Sequence, residues 1–120
     1  MFHPNRRFAV TPVQDPEELA RRLTQQTWTA CTGFEHAGYV FLNDSTSPDG
    51  AQEYAVFRKE PETSGKFIQI EGVTFSWMGA AEAVQCIRDI ARGACDNVMR
   101  MEHDLTLETP ANHGQCRHCA

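Results

Sequence analysis

The spacing of apolar residues along the chain predicts two amphipathic helices. The first begins at Asp15 and Pro16, since Asp is a favourable N-cap and Pro fits the first helical position, and it is expected to end near Thr27. The second covers residues 80–92 and stops at Gly93. The apolar stripes consist of Leu19, Ala20 and Leu23 in the first helix and of Ala83, Val84, Ile87, Ile90 and Ala91 in the second.

Alternating segments and short apolar runs between turn residues predict five strands. They cover residues 28–34, 39–42, 54–58, 66–77 and 99–108. Gly72 lies inside the fourth strand, where a glycine often marks a bulge that changes the face of the later side chains. The fifth strand alternates strictly, and its expected buried face carries Met99, Met101, His103, Leu105 and Leu107.

The order of these elements, α-β-β-β-β-α-β, predicts an α+β fold. We expect an antiparallel sheet of about five strands with both helices on one face, followed by a short C-terminal tail. The single domain is expected at residues 15–109, with an N-terminal arm at 1–14 and the tail at 110–120. A length of 120 residues, 41% of them hydrophobic and 22% charged, is typical of one globular domain.

The tail carries the sharpest chemical signal in the chain, because it combines His113, Cys116, His118 and Cys119. The two-residue gap between the cysteines lets both thiolates face one tetrahedral Zn²⁺, with His113 as a third ligand. Ligation by the adjacent residues 118 and 119 together would be strained. The fourth ligand is therefore either His118 or a residue of the domain, for which His103 and Cys95 are the candidates.

Three other interpretations of the same residues stay open. The tail can be a disordered terminus whose thiols oxidise in vitro. It can share one ion between two chains, so the oligomeric state is not decided. A thioredoxin-like pair is disfavoured, because one residue follows Cys119 and no helix can begin there. His103 has its own alternative as a hydrogen-bonded core residue.

Charge and cysteine usage restrict the partners and the compartment. The formal net charge of −5 argues against direct binding to nucleic acid, although it suits approach to a basic protein. No window approaches the roughly 20 apolar residues of a membrane span, so no membrane contact is expected. Five cysteines, an odd number, indicate reduced thiols and a soluble cytoplasmic protein.

The signals for catalysis are weak. The chain contains no phosphate-binding glycine loop, nucleophile elbow or zincin helix. Cys31 and His36 are a conceivable nucleophile and base, but no third orienting group is evident, and Cys86 is expected to be a buried hydrophobe. The acids Asp44, Asp49 and Glu53 lack the spacing of a calcium loop and are interpreted as solvated turn residues.

The function favoured by the sequence is that of a small non-enzymatic accessory or regulatory binding protein whose tail is ordered by zinc. Its macromolecular partner is expected to be a protein, contacted through an exposed sheet face or the 43–53 loop. Trp77, at a strand end, is the aromatic residue best placed for a contact. The alternatives are an acidic inhibitor of a nucleic-acid-handling host-defence enzyme, carried by a mobile element, and a small enzyme that uses Cys31 and His36.

Overall fold

The computed structural model describes residues 7–25, 32–43, 53–59 and 67–108, and its fold is α+β. Within these ranges, no helix is long and apolar enough to cross a membrane. The elements in chain order are β1 (Arg7–Pro12), α1 (Pro16–Thr24), β2 (Thr32–His36), β3 (Tyr39–Asn43), β4 (Glu53–Lys59), β5 (Phe67–Thr74), a 3₁₀ turn (Phe75–Trp77), α2 (Ala80–Ala91), β6 (Met101–His103) and β7 (Thr106–Glu108).

The two predicted helices are present, but the predicted five-stranded antiparallel sheet is wrong. The sheet has seven strands in the order β6-β5-β4-β3-β2-β1-β7, and it is mixed. Strand β1 is parallel to both β2 and β7, whereas the other pairs are antiparallel. The two additional strands are β1, from the segment predicted as an arm, and β7, from the second half of the last predicted strand.

The parallel pairing of β1 with β2 follows from the helix between them. A chain that enters a sheet twice in the same direction needs a crossover, and a helix is the usual one. Asp15 starts this crossover, because its Oδ1 accepts a hydrogen bond from the Glu17 backbone N–H at 3.3 Å and Pro16 follows at the first helical position. The unit β1-α1-β2 is therefore a βαβ motif attached to an antiparallel meander.

The sheet curls into a half-barrel, and the short link between β6 and β7 shows why. Strand β6 pairs with β5 at one end of the strand order, while β7 pairs with β1 at the other end. Only Asp104 and Leu105 separate the two strands. Three Cα steps span at most about 11 Å, so the two edges of the sheet must come this close at the link. A flat seven-stranded sheet could not satisfy this constraint.

Alternation along the strands creates two apolar cores, one on each face of the curled sheet. In β3, Tyr39 and Phe41 belong to the helix-side core, and Val40 and Leu42 belong to the inner core. The helix-side core consists of Val13, Leu19, Ala20, Leu23, Tyr39, Phe41, Tyr54, Val56, Ile68, Ile70, Val73, Phe75, Ala83, Ile87 and Ile90. The inner core consists of Phe8, Val40, Leu42, Ala55, Phe57 and Phe67, with Val10, Leu105 and Leu107 packed against it.

Strand β5 contains a bulge, as the glycine within the predicted strand suggested, but the bulge does not lie at Gly72. Val56 of β4 is opposite Glu71, while the next residue, Phe57, is opposite Gln69. Ile70 therefore has no partner on β4, and the bulge lies two residues before Gly72. At its other end β5 turns into the 3₁₀ segment that leads to α2, instead of continuing to Trp77 as predicted.

The β2–β3 hairpin contains a strained residue, and its replacement should stabilise the protein. Ala37 and Gly38 form the two-residue loop with φ of 54° and 86°, as a type I′ turn requires. Alanine adopts a left-handed conformation at a cost, whereas asparagine tolerates it. We expect Ala37→Asn to raise the free energy of unfolding in urea by about 1 kcal/mol. Ala94→Asn is the control, because the φ of Ala94 is not positive and the substitution should bring no gain. Equal increases in the free energy of unfolding for the two variants would contradict the explanation.

Candidate binding surface

The proposed zinc ligands of the tail, His113, Cys116, His118 and Cys119, lie outside the described residues, so the tail site remains a prediction. The ligand proposed from the domain, His103, is half-buried in β6. Its ring meets the ring of Phe57 edge-on, with centroids 5.5 Å apart. Burial lowers the pKa of His103, which favours the neutral imidazole that a metal ion requires.

The second candidate from the domain, Cys95, lies at a different core. Cys95 is half-buried and packs against the helix-side core, whereas His103 contacts Phe57 of the inner core. Burial raises the pKa of Cys95, and nearby carboxylates add to this effect. Since the two side chains pack against different cores, the tail would use one of them and not both. Among residues 7–25, 32–43, 53–59 and 67–108, no three His, Cys, Asp or Glu side chains gather in a metal-binding group.

Of the two residues considered for catalysis, the structure describes His36 but not Cys31. His36 is buried, and its Nδ1 lies 2.9 Å from the Val13 carbonyl oxygen, so this ring nitrogen is engaged by the backbone. Cys31, Asp44 and Asp49 lie outside the described residues, and Glu53 begins β4. The pairing of Cys31 with His36 thus remains an untested prediction.

Cys86 is expected to be chemically inert at neutral pH. Burial, followed by nearby Cys95 and carboxylates, raises the pKa of its thiol to about 11. Because the thiolate is the reactive form, alkylation near pH 8 should be roughly a hundredfold slower than for an ordinary thiol. Mass spectrometry of the Cys86 peptide after iodoacetamide treatment measures this rate. The denatured protein is the fast-reacting control, and equally fast labelling of the native protein would contradict the expectation.

Three large apolar side chains of the described residues are exposed, and two of them, Trp77 and Met101, adjoin opposite ends of β5. Trp77 is 76% exposed, Val98 60% and Met101 51%. Trp77 follows the end of β5 by three residues, while Met101 is opposite Gln69 near the start of that strand. Val98 precedes Met101 by three residues. We call these three side chains the apolar rim. A large aromatic side chain left in water, as Trp77 is, is a candidate for contact with another molecule.

A groove of about 870 Å³ lies between α1 and α2, beginning three residues after Trp77. Its small apolar residues are Ala20, Ala80, Ala81 and Val84, and its charged and polar residues are Asp15, Glu17, Glu18, Arg21, Thr24, Gln85 and Arg88. Glu18 is committed to an ion pair with Arg21 and to one with Arg22 at 2.9 Å, which lower its pKa to about 2. Glu17 and Arg88 are exposed on the two sides of the groove.

Comparison with known proteins supplies no further assignment. No protein-family model matches the chain, and no match is found among curated proteins or solved structures.

The apolar rim and the groove differ in how far the sequence could predict them. Trp77 was recognisable, because it ends a run of strand-like residues and is followed by a helix start. Val98 and Met101 were not, since the alternation of residues 99–108 predicted Met101 on a buried face. The groove depends on how the two helices pack, which the sequence pattern does not specify.

Proposed function

We propose that the chain is a small non-enzymatic accessory or regulatory protein that binds another protein through the apolar rim. The observation that carries this proposal is the 76% exposure of Trp77. An indole left in water costs free energy that packing against a partner recovers, and Trp is among the residues most enriched at binding hot spots. The neighbouring groove adds small side chains that allow close approach.

The partner is expected to be basic. The formal charge of −5 creates a field that attracts positively charged surfaces and repels the phosphate backbone. Glu17 places an exposed carboxylate beside the groove. Electrostatic attraction mainly raises the association rate, so binding should weaken as salt increases.

The zinc-ordered tail belongs to the same proposal, since an ion bound by His113, Cys116 and Cys119 would attach the tail to the domain. Elemental analysis of the purified protein should find retained zinc. The double variant Cys116→Ala/Cys119→Ala should lose it, while Cys86→Ala should keep it. A metal-free wild-type protein would contradict this part of the proposal without affecting the apolar rim.

Substitution of Trp77 tests the binding proposal. A partner captured from cells and then purified should bind Trp77→Ala about tenfold more weakly than wild type, because hot-spot truncations typically cost more than 1 kcal/mol. Arg92→Ala, which changes an exposed ion pair at the end of α2, is the control with little effect. Dissociation constants from calorimetry decide the outcome, and identical constants for Trp77→Ala and wild type would refute the proposal.

A second candidate is the acidic inhibitor of a nucleic-acid-handling enzyme, favoured by the charge of −5. Such a protein would occupy a basic surface that otherwise holds a phosphate backbone. Inhibition of purified basic nucleases, relieved by added salt and by Trp77→Ala, would support it. Full nuclease activity at saturating protein would exclude this candidate.

A further inference from the structure

Within the part of the chain that the structure describes, strand β5 has an open edge beyond its short pairing with β6. All of β5 pairs with β4 apart from the bulge, but β6 covers only Phe67–Gln69. Among the described strands, none pairs with the outer side of residues 70–74. The residues there are partly accessible, since Glu71, Gly72 and Thr74 are all half-exposed. An open strand edge is a template for another strand.

The backbone at Gly72 shows which groups this edge offers. The Gly72 N–H donates to Oε1 of Glu71 at 3.1 Å, so it is directed away from β4. In an antiparallel ladder, alternate residues direct both backbone groups to the same side. Thr74 therefore has the same orientation as Gly72. Thr74 presents its N–H and its carbonyl to the outside, whereas Gly72 presents its carbonyl and an N–H that the Glu71 carboxylate already holds.

Two carboxylates flank this edge. The Glu71 carboxylate accepts a hydrogen bond from the Gly72 N–H. The Glu53 carboxylate lies next to the Gly72 Cα, because a Cβ built on Gly72 would be 3.1 Å from Oε1 of Glu53. Two residues of the apolar rim adjoin the ends of this edge. Met101 is opposite Gln69, just before the edge, and Trp77 follows Thr74 by three residues. The edge is therefore acidic at its centre and apolar at its ends.

These features select one occupant. A second copy of this chain would bring its own Glu53 and Glu71 against the same carboxylates, and like charges directly opposite are destabilising. An extended segment with alternating basic and apolar residues matches the edge instead. Its backbone pairs with Thr74 and with Gly72, whose N–H the Glu71 carboxylate releases when it pairs with a basic side chain of the segment. The apolar side chains of the segment face the rim.

We propose that the partner binds by β-strand addition, an inference that rests on the proposed function. An extended basic segment of the partner pairs with the outer edge of β5 at Gly72–Thr74. Main-chain hydrogen bonds supply the register, and contacts with the apolar rim and the two carboxylates supply the specificity.

Proline substitution on the full chain tests this mode directly. Proline removes the N–H that an incoming strand needs, and it is tolerated at an edge position whose N–H is not used by the sheet. Gly72→Pro and Thr74→Pro are the two variants. Thr74 is the safer one, because its φ of −99° is nearer to the roughly −65° of proline than that of an ordinary strand residue is, and its side chain makes no capping hydrogen bond. Gly72→Pro in addition removes the N–H that Glu71 holds. Thermal unfolding confirms that each variant folds.

The probe is a short peptide of alternating lysine and valine, labelled for fluorescence anisotropy. The control peptide has the same sequence with alternate backbone nitrogens methylated. We expect wild type to bind the plain peptide about tenfold more tightly than either proline variant does, and about tenfold more tightly than the methylated peptide. Amide exchange of Gly72 and Thr74 in the wild-type protein should slow when the plain peptide is added.

The outcomes separate this inference from the proposed function. Equal affinity for both peptides, unchanged amide exchange, or proline variants that bind like wild type would overturn strand addition. If partner binding still depends on Trp77 in those cases, the proposed function stands and only the mode is wrong. A partner that binds regardless of both Trp77 and the edge would overturn both.

Discussion

Replacing Phe57 with alanine should destabilise the protein by about 3–5 kcal/mol, which is the usual cost of deleting a fully buried aromatic side chain. Phe57 is completely buried at the inner core, where it also meets the ring of His103 edge-on. The Phe57 ring lies among the other side chains of the inner core, so its removal leaves a cavity there. Urea denaturation followed by circular dichroism measures the loss.

The matched control for this prediction is Trp77→Ala, which also removes a large aromatic ring. Because Trp77 is 76% exposed, its removal should change the free energy of unfolding by less than about 0.5 kcal/mol. The pair of variants thus separates an aromatic residue that stabilises the fold from one that is available to a partner. A large loss of stability in Trp77→Ala would contradict the assignment of Trp77 to the binding surface.

Replacing Asp96 with alanine should cost about 2–3 kcal/mol, because one carboxylate joins three parts of the fold. Its Oδ1 accepts a hydrogen bond from the Tyr39 hydroxyl at 2.8 Å, and its Oδ2 pairs with Nη1 of Arg58 at 3.0 Å. The turn after α2 is thereby attached to β3 and β4. All three side chains are buried or half-buried, so loss of the carboxylate leaves polar groups with little water to replace it.

Asp89→Ala is the control for Asp96→Ala, since Asp89 forms an exposed ion pair with Arg92 at 2.6 Å. Such pairs contribute at most about 1 kcal/mol. Equal destabilisation by the two substitutions, measured by urea denaturation, would contradict the structural role of Asp96.

The Tyr39 hydroxyl adds a pH dependence to the same cluster. Burial, and then the hydrogen bond to Asp96, raise the pKa of Tyr39 above its ordinary value. The folded state therefore holds this proton more tightly than the unfolded state. The resulting stability is complete below the ordinary tyrosine pKa of about 10 and is lost as the pH rises through the raised pKa. Tyr39→Phe should reduce the alkaline loss of stability in urea titrations, and the raised pKa values of the Cys86 and Cys95 thiols account for part of what is left.

The sequence predicted the helices because their signals are local. Asp15 and Pro16 define the start of α1 by capping chemistry, and Gly93 follows α2. The central hairpins were also recognisable, since β3 and β4 are short continuous apolar runs bounded by turn residues. Strand β1 was missed because Phe8, Ala9 and Val10 form a short apolar stretch next to two arginines, and its partners lie far away in sequence.

The curvature of the sheet could not be predicted, because it depends on long-range pairing. Residues 101–108 alternate like one strand, and His103, Leu105 and Leu107 are indeed half-buried as expected. What the alternation does not reveal is that β6 and β7 pair with opposite edges. This division of the segment into two short strands places Met101 in the apolar rim instead of the core. Among the described strands, none covers the outer side of β5 beyond Gln69.

The accessibility of Trp77 in the complex tests the central claim most directly. The chain has two tryptophans, so the variant Trp28→Phe leaves Trp77 as the sole source of indole fluorescence. Acrylamide should quench this fluorescence strongly in the free protein, and saturating partner should reduce the quenching constant several-fold, because the indole becomes buried in the interface. Unchanged quenching in a fully formed complex would contradict the claim that this protein recognises its partner through Trp77.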